Sequence, residues 1–236
     1  MCRMLAIISQ RPVDTHYLLE FRQLAKTGKV AKGRKAGHSD GWGVVAYDNG
    51  LPVYFGRQSH DAYDDPEYEK ACEALRDEAI SGIVFVQLRK KSVGNKDIHN
   101  TPPLVQGSLC LMHNGTVHKL GNENESDSIK LLQMLSQEVA GGHSILGSLR
   151  TVYSEITKNY RYTSLTSVIT NGESVLATKC VDSSQDAEYY DLMYARTEDR
   201  VVVSQERTWQ LDWHSIENGD LAIINTGLEV STQKLF

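Results

Sequence analysis

The sequence contains no apolar run of the length that spans a bilayer, which is about 20 residues. It also lacks an excess of basic residues, since 25 Lys and Arg stand against 30 Asp and Glu for a formal net charge of −5. This balance predicts neither nucleic acid nor an anionic membrane as the main partner. The first apolar segment is too short for a secretory signal and has no cleavage site, so a cytoplasmic location is expected.

Cysteine is scarce and shows no pairing pattern. The four cysteines are Cys2, Cys72, Cys110 and Cys180, and no two of them form a C-x-x-C motif. The spacing indicates neither a zinc knuckle nor a redox motif, and reduced thiols are expected.

Metal and cofactor motifs are also lacking. His113 and His118 could share a face only on a helix, and Gly115 between them indicates a turn, so no metal site is predicted. The glycine-rich segment 38–43 does not have the spacing of a phosphate loop. We therefore predict no cofactor.

Strand patterns alternate with a few helical ones along the 236 residues. Strands are predicted at 2–8, 42–47, 53–55, 83–89, 109–113, 163–170, 174–179, 191–195, 201–204, 220–225 and 228–231. Helices are predicted at 17–24, 67–80, 126–139 and 144–156, the last with Ser144 as its N-cap. This order favours an α+β fold with packed sheets over an alternating parallel sheet. Because no linker or repeat divides the chain, residues 1–236 are predicted to form one domain.

Cys2 stands directly behind the initiator methionine and before an apolar run. Removal of Met1 would leave a residue that carries both a thiol and a free α-amine. The amine has an unperturbed pKa of about 7.7–8.0 and the thiol one of about 8.5, so the amine can accept the thiol proton near neutrality. From position alone the alternative stays open that Cys2 is a buried strand residue behind a retained methionine.

Asn114 and Gly115 follow a predicted strand. On its own, Asn-Gly is the strongest short-range signal for a β-hairpin turn. The segment 38–43 stands just before another strand, where its glycines permit a sharp turn or the close approach of a ligand.

Six motifs in a fixed order give a more specific indication. They are M-C-R-M-L-A at the N-terminus, S-D-G-W-G-V-V-A-Y at 39–47, L-R-K-K-S-V-G-N at 88–95, N-T-P-P at 100–103, H-N-G at 113–115 and E-S-D-S at 125–128. The set resembles the class II glutamine amidotransferases of the N-terminal-nucleophile hydrolase superfamily, above all their stand-alone members. A weaker match, V-V-V-S-Q-E-R-T at 201–208, lies toward the C-terminus. The resemblance implies a four-layer αββα sandwich of two mainly antiparallel sheets.

The resemblance also implies the chemistry. Cys2 would attack a γ-glutamyl amide and form a thioester, with its own α-amine as the base. Asn114 and Gly115 match the oxyanion hole. The implied catalytic residues are thus Cys2, Asn114 and Gly115.

Substrate-binding residues are implied in the same way. Arg89 matches the residue that binds the substrate α-carboxylate, and Asp127 matches the carboxylate that binds the α-ammonium. Asp127 also stands where a helix begins, so a capping role for it or for Ser126 stays open. Further residues expected to line the site are Ser92, Asp40, Gly41 and Trp42.

Some positions depart from the family pattern. Gln87 stands where relatives commonly have histidine, Lys90 follows the arginine, and Pro103 replaces an aromatic residue. None of these changes removes a catalytic group, but they leave the substrate preference open. The expected partner is a small γ-glutamyl molecule or glutamine.

Three functions are compatible with these residues. The first is a free-standing amidohydrolase that cleaves a γ-glutamyl compound. The second is a glutaminase subunit that passes ammonia to a separate synthase, and the third is a non-catalytic regulatory subunit of the same fold. Because Cys2, Asn114 and Arg89 are all present, catalysis is favoured over a regulatory role.

Overall fold

A computed structural model describes residues 2–236, and within them thirteen strands and five helices are defined. The strands are β1 (Arg3–Ser9), β2 (Trp42–Asp48), β3 (Leu51–Gln58), β4 (Gly82–Leu88), β5 (Leu104–Gln106), β6 (Leu109–Asn114), β7 (Thr166–Thr170), β8 (Ser174–Lys179), β9 (Met193–Arg196), β10 (Arg200–Ser204), β11 (Trp213–Ser215), β12 (Asp220–Asn225) and β13 (Val230–Lys234). The helices are α1 (His16–Phe21), α2 (Leu24–Thr27), α3 (Pro66–Asp77), α4 (Asp127–Ala140) and α5 (Ile145–Asn159).

The strands form two sheets. One has seven strands in the order β11-β9-β10-β1-β4-β2-β3, and the other has six in the order β13-β12-β8-β7-β6-β5. The ladders between neighbouring strands are antiparallel. β1 lies in the middle of the larger sheet, and all seven of its residues are buried.

Alternate residues of each central strand face different layers, as the two-residue period of a strand requires. In β1, Met4 and Ala6 face the layer between the sheets, whereas Leu5 and Ile7 face the outer layer that contains α1 and α3. A third apolar layer packs α4 and α5 on the outer face of the smaller sheet. The result is the four-layer αββα sandwich, and the predicted α+β class is confirmed.

The helix termini follow sequence signals. Ser144 Oγ accepts a hydrogen bond from Gly147 N at 3.1 Å, as predicted for the N-cap of α5. Asp65 caps α3 by accepting from Glu67 N at 3.0 Å, and Pro66 occupies the first turn, where no backbone donor is needed. No helix within residues 2–236 is long and apolar enough to cross a membrane.

The Asn-Gly pair does not form the hairpin turn that this dipeptide favours on its own. Asn114 ends β6, and the chain then passes through α4 and α5 before it returns as β7, which pairs with β6 in the register Asn114 to Thr166. Other differences are smaller. The predicted helix at 17–24 is divided into α1 and α2. The short strands β5 and β11 were not predicted because three residues give too little pattern.

The layer between the sheets should dominate stability. Phe85 is fully buried there, whereas Phe55 occupies the same row of the sheet on the edge strand β3 and is 50% exposed. We expect Phe85→Ala to lower the free energy of unfolding by about 3–5 kcal/mol. Phe55→Ala, the matched control, should lower it by less than about 1 kcal/mol. Urea unfolding checks this, and equal losses would contradict the assigned layers.

Candidate active site

A cavity lies where the start of β1, the ends of β4 and β6 and the start of α4 meet. Because β1 and β4 are antiparallel with Arg3 opposite Leu88, Cys2 and Arg89 lie at the same edge of the sheet. Predicted residues that line the cavity are Cys2, Arg89, Ser92, Gly115 and Asp127. The fold thus brings together residues that are up to 125 positions apart, as between Cys2 and Asp127.

The backbone nitrogen of Cys2 is bound by Asn114. It donates to Asn114 Oδ1 at 2.9 Å, and Asn114 Nδ2 donates to Gln205 Oε1 at 3.2 Å. This bond to Gln205 fixes the orientation of the Asn114 amide. Because the amide nitrogen has two protons, one donor is left for another acceptor. Met1, whose removal is predicted from the sequence, lies outside the residues that the structure describes.

Gly115 follows Asn114 where no side chain fits. A Cβ atom at this position would lie 1.8 Å from the carbonyl oxygen of Ser164. The glycine is therefore required by the close approach of the 164 backbone, a physical reason that the sequence alone did not give.

His113 supports this segment from inside the protein. Its Nε2 lies 3.2 Å from the Ser164 carbonyl oxygen, which can only accept, so Nε2 carries the proton. Its Nδ1 lies 2.8 Å from Ser128 Oγ and accepts from that hydroxyl. Burial lowers the pKa of His113, so the ring is neutral near pH 7.

Arg89 has a guanidinium that is only partly paired. Nη2 donates to the carbonyl oxygens of Asn95 at 2.9 Å and Val93 at 3.4 Å, whereas the buried Nη1 has no partner among the described residues. Burial lowers the pKa of this guanidinium, although nearby carboxylates oppose the effect. An unpaired buried cationic donor is energetically unfavourable, and an anionic oxygen from a ligand would remove that cost.

Asp127 is buried at the first residue of α4. Its Oδ2 accepts from Val117 N at 2.6 Å, a donor that lies outside the helix. Ser126 occupies the N-cap position without a side-chain capping bond. The alternative in which either residue serves as a simple cap therefore has no support in the hydrogen bonds.

Ser92 and Asn100 hold the loops of the cavity together. Ser92 Oγ accepts from Thr116 Oγ1 at 3.0 Å, which joins the segment after β4 to the segment after β6. Asn100 Oδ1 accepts from Ser126 N at 2.6 Å, and its Nδ2 donates to Asn124 O at 2.7 Å. The N-T-P-P motif thus tethers the start of α4.

The backbone of Asp40 and Gly41 is hydrogen-bonded to the backbone of Arg89. The Arg89 backbone donates to Gly41 O at 2.7 Å and accepts from Asp40 N at 2.9 Å. A Cβ atom on Gly41 would meet Thr101 Oγ1 at 2.8 Å. Burial alone would raise the pKa of Asp40, but a hydrogen bond from the Lys91 backbone and the nearby lysines outweigh it and lower that pKa.

The structure does not bring the Trp42 side chain into the cavity. The indole is buried in the outer core, where it donates to Asp65 Oδ2 at 2.7 Å and meets the ring of Tyr68 edge-on. Trp42 therefore supports the sheet below the site, and we leave it out of the substrate contacts.

Two glutamines at the site were not assigned a role from the sequence. Gln205 follows β10 and orients Asn114, and only the weak motif at 201–208 pointed to it. Gln87, noted as a departure, donates from Nε2 to the His113 carbonyl oxygen at 2.8 Å. Both glutamines link the larger sheet to β6 of the smaller one. Gln87 binds the backbone of His113, and Gln205 binds the side chain of Asn114.

The amino-acid sequence is similar to those of known proteins. The sequence model of the family described as glutamine amidotransferases class-II matches residues 1–182. A γ-glutamyl-hercynylcysteine sulfoxide hydrolase from Mycobacterium tuberculosis is 27% identical over 213 residues, which cover 87% of this chain and 84% of that protein.

Solved structures share the fold at low identity. A glutamine PRPP amidotransferase from B. subtilis superposes with a TM-score of 0.66 at 13% identity over the whole of this chain, which spans 49% of that protein. A glutamine aminotransferase class-II domain protein from Silicibacter pomeroyi gives a TM-score of 0.66 at 16% identity, with both chains fully covered. The family match over most of the chain confirms the resemblance seen in the motifs: the chain belongs to the class II glutamine amidotransferases.

Proposed function

We propose that this chain is an amidohydrolase that cleaves the γ-glutamyl amide bond of glutamine or a γ-glutamyl compound through an N-terminal cysteine thioester. The observation that carries the proposal is the convergence of Cys2, Arg89, Gly115 and Asp127 on one cavity. A thiol, a carboxylate-binding cation, a backbone donor and a carboxylate are the groups this reaction needs.

Arg89 and Asp127 bind the two ends of the glutamyl group. The α-carboxylate accepts from the otherwise unpaired Nη1 of Arg89, and the α-ammonium donates to the Asp127 carboxylate. The Asp127 carboxylate is itself held by Val117 N, so its position is set before substrate binds. This arrangement selects an unsubstituted α-amino acid end and leaves the amide end toward Cys2.

The reaction proceeds in two steps. The α-amine of Cys2 takes the thiol proton, the sulfur bonds to the amide carbon, and the leaving amine departs with that proton as the thioester forms. Asn114 Nδ2 and the Gly115 backbone N–H stabilise the oxyanion. Water then cleaves the thioester and releases glutamate and free Cys2.

The free-standing hydrolase is favoured over a glutaminase subunit. The M. tuberculosis relative is named a hydrolase, and this chain covers 84% of its length. We also propose that the protein acts in the reducing cytoplasm, since all four cysteines are free and buried. A separate synthase partner remains the alternative to be tested.

Substrate choice separates these alternatives. With glutamate release as the readout, γ-glutamyl peptides such as glutathione should give a higher kcat/KM than glutamine, because a hydrolase accepts a leaving group larger than ammonia. Faster cleavage of glutamine than of every γ-glutamyl peptide would instead favour the glutaminase subunit.

Arg89 and Asp127 together form a clamp on the two ends of the glutamyl group. Substitutions that keep the hydrogen bonds within the protein can test it. In Asp127→Asn the amide oxygen still accepts from Val117 N, but the charge opposite the α-ammonium is lost. We expect kcat/KM to fall roughly 10- to 100-fold in Asp127→Asn and in Arg89→Ala, since a charged hydrogen-bond partner contributes about 1.5–3 kcal/mol. Steady-state kinetics measures the effect on kcat/KM, and urea unfolding shows separately whether each variant keeps its fold.

Asp199 and Arg200 provide matched controls for the clamp. They form an ion pair at 2.8 Å and lie at the opposite end of β1, where Arg200 faces Ser9. Asp199→Asn and Arg200→Ala should leave kcat/KM unchanged. Unaltered kinetics in either clamp variant would remove that residue from the proposed site.

Covalent labelling tests the nucleophile. A glutamine analogue bearing a diazoketone should alkylate the Cys2 thiol with loss of dinitrogen. The other thiols should be spared because burial raises the pKa of Cys72 to about 12 and of Cys180 to about 11, and raises that of Cys110 as well. Peptide mapping should find the adduct on Cys2 alone.

Two variants complete the labelling experiment. Cys2→Ala should abolish both labelling and glutamate release, whereas Cys72→Ala should retain both. Intact mass of the active protein should show that Met1 is absent and the amine unacetylated. An adduct on another cysteine that tracks the loss of activity, or full activity with Met1 present, would overturn the mechanism.

A further inference from the structure

Arg3 is a buried cation to which the proposed mechanism gives no role. Its side chain is 1% exposed at the start of β1. Nη1 donates to the Cys2 carbonyl oxygen at 2.9 Å, and Nη2 donates to the Lys29 carbonyl oxygen at 2.6 Å. Nε pairs with the Glu206 carboxylate, and the Tyr189 ring lies 4.7 Å from the guanidinium carbon.

Glu206 in turn holds the position of Arg3. Its Oε1 also accepts from Lys29 N at 2.7 Å, so one carboxylate joins Arg3 to the segment after α2. Glu206 follows Gln205, the residue that orients Asn114. The same short segment after β10 therefore controls both groups that contact the backbone of Cys2.

Cys2 itself lies outside the β-ladder. The register of β1 with β4 begins at Arg3, and that with β10 begins at Leu5. The two backbone polar groups of Cys2 are instead held by side chains: its nitrogen by Asn114 and its carbonyl oxygen by Arg3. Without these contacts, a terminal residue would rotate freely about its backbone bonds.

We infer that Arg3, held by Glu206, is a positioning residue that fixes Cys2 for attack and keeps its released α-amine unprotonated near neutral pH. The inference rests on the proposed function, because the amine matters only if it is the base. A guanidinium keeps its charge at any working pH, and a cation close to an amine favours the neutral form of that amine. Hydrogen bonding to the carbonyl of the same residue provides this proximity.

Other charged groups also face Cys2, and they are distinguishable from Arg3. The ionisable groups around Cys2 are Arg89 and Lys90 after β4, His113 on β6, Asp127 on α4, Tyr189 in the segment before β9 and Glu206 after β10. His113 is neutral, and Arg89 and Asp127 have opposite charges that the substrate is proposed to engage. Arg3 and Glu206 can therefore be altered without removing a substrate contact.

The test compares Arg3→Gln with Glu206→Gln by the pH profile of kcat/KM for glutamate release. Loss of the Arg3 charge lets the amine keep its proton to higher pH, so the acid limb should move up by about half a pH unit or more. Loss of the Glu206 charge leaves Arg3 uncompensated, so the acid limb should move down. In Arg3→Gln, kcat should also fall roughly 10- to 100-fold while KM changes less than about two-fold, because Cys2 and not the substrate is misplaced.

Arg200→Gln is the matched control for a merely structural role. Arg200 also pairs with a carboxylate and contacts a ring, that of Tyr17 at 5.5 Å, but at the far end of β1. It should leave the acid limb in place. Diazoketone labelling counts the active sites in each preparation, and intact mass confirms that Met1 is absent from each variant.

The outcomes separate this inference from the proposed function. If wild-type protein is not labelled on Cys2, the proposed function fails. If wild-type protein is labelled and releases glutamate but the acid limb of Arg3→Gln stays in place, only the role of Arg3 is overturned. Should Arg3→Gln not fold, Arg3→Lys decides instead, because it keeps the charge but not the bond geometry of the guanidinium: a lower kcat with the acid limb in place supports the inference, and an unchanged kcat or a displaced acid limb rejects it.

Discussion

The pairing of β1 between β4 and β10 is the interaction on which the rest of the site depends. The first residues of a chain are ordinarily among its least ordered. Here β1 is buried along its whole length and has ladder bonds on both sides. Residue 2 therefore leaves the sheet at a defined point beside the end of β4, where the loop that contains Arg89 begins. Without this central strand, neither Asn114 nor Arg3 would have a fixed backbone to bind.

Several buried polar atoms around this point have no hydrogen-bond partner within residues 2–236. Buried atoms without a partner among the described residues include Arg89 Nη1, Ser126 Oγ, Gln87 Oε1 and Gln205 Nε2. Each buried polar group left unsatisfied lowers stability by about 1–3 kcal/mol. The site is therefore less stable than an apolar core of the same size would be, and a substrate with its own charged groups offsets part of that loss.

The sequence predicted the fold well because periodicity and motif order are local properties. The strands at 174–179 and 220–225 were predicted with the bounds that the structure gives. Motif resemblance also identified residues that meet at the cavity, such as Arg89 and Asp127. It could not show that Trp42 faces the core, that Ser164 is the reason for Gly115, or that Gln205 orients Asn114, because each depends on a long-range contact. The Asn-Gly signal failed since its turn preference is overridden by the excursion through α4 and α5.

The contacts of residue 2 also set the order of events during synthesis. Asn114 is 112 positions from Cys2, and Gln205 is a further 91 from Asn114. Contacts of such long range form late, and domains fold as their last partners leave the ribosome. The Cys2 thiol therefore leaves the ribosome well before the residues that surround it in the fold. A partial product lacking β10 would contain the proposed nucleophile without Gln205 and Glu206, so under the proposed mechanism premature release of the chain would give an inert protein.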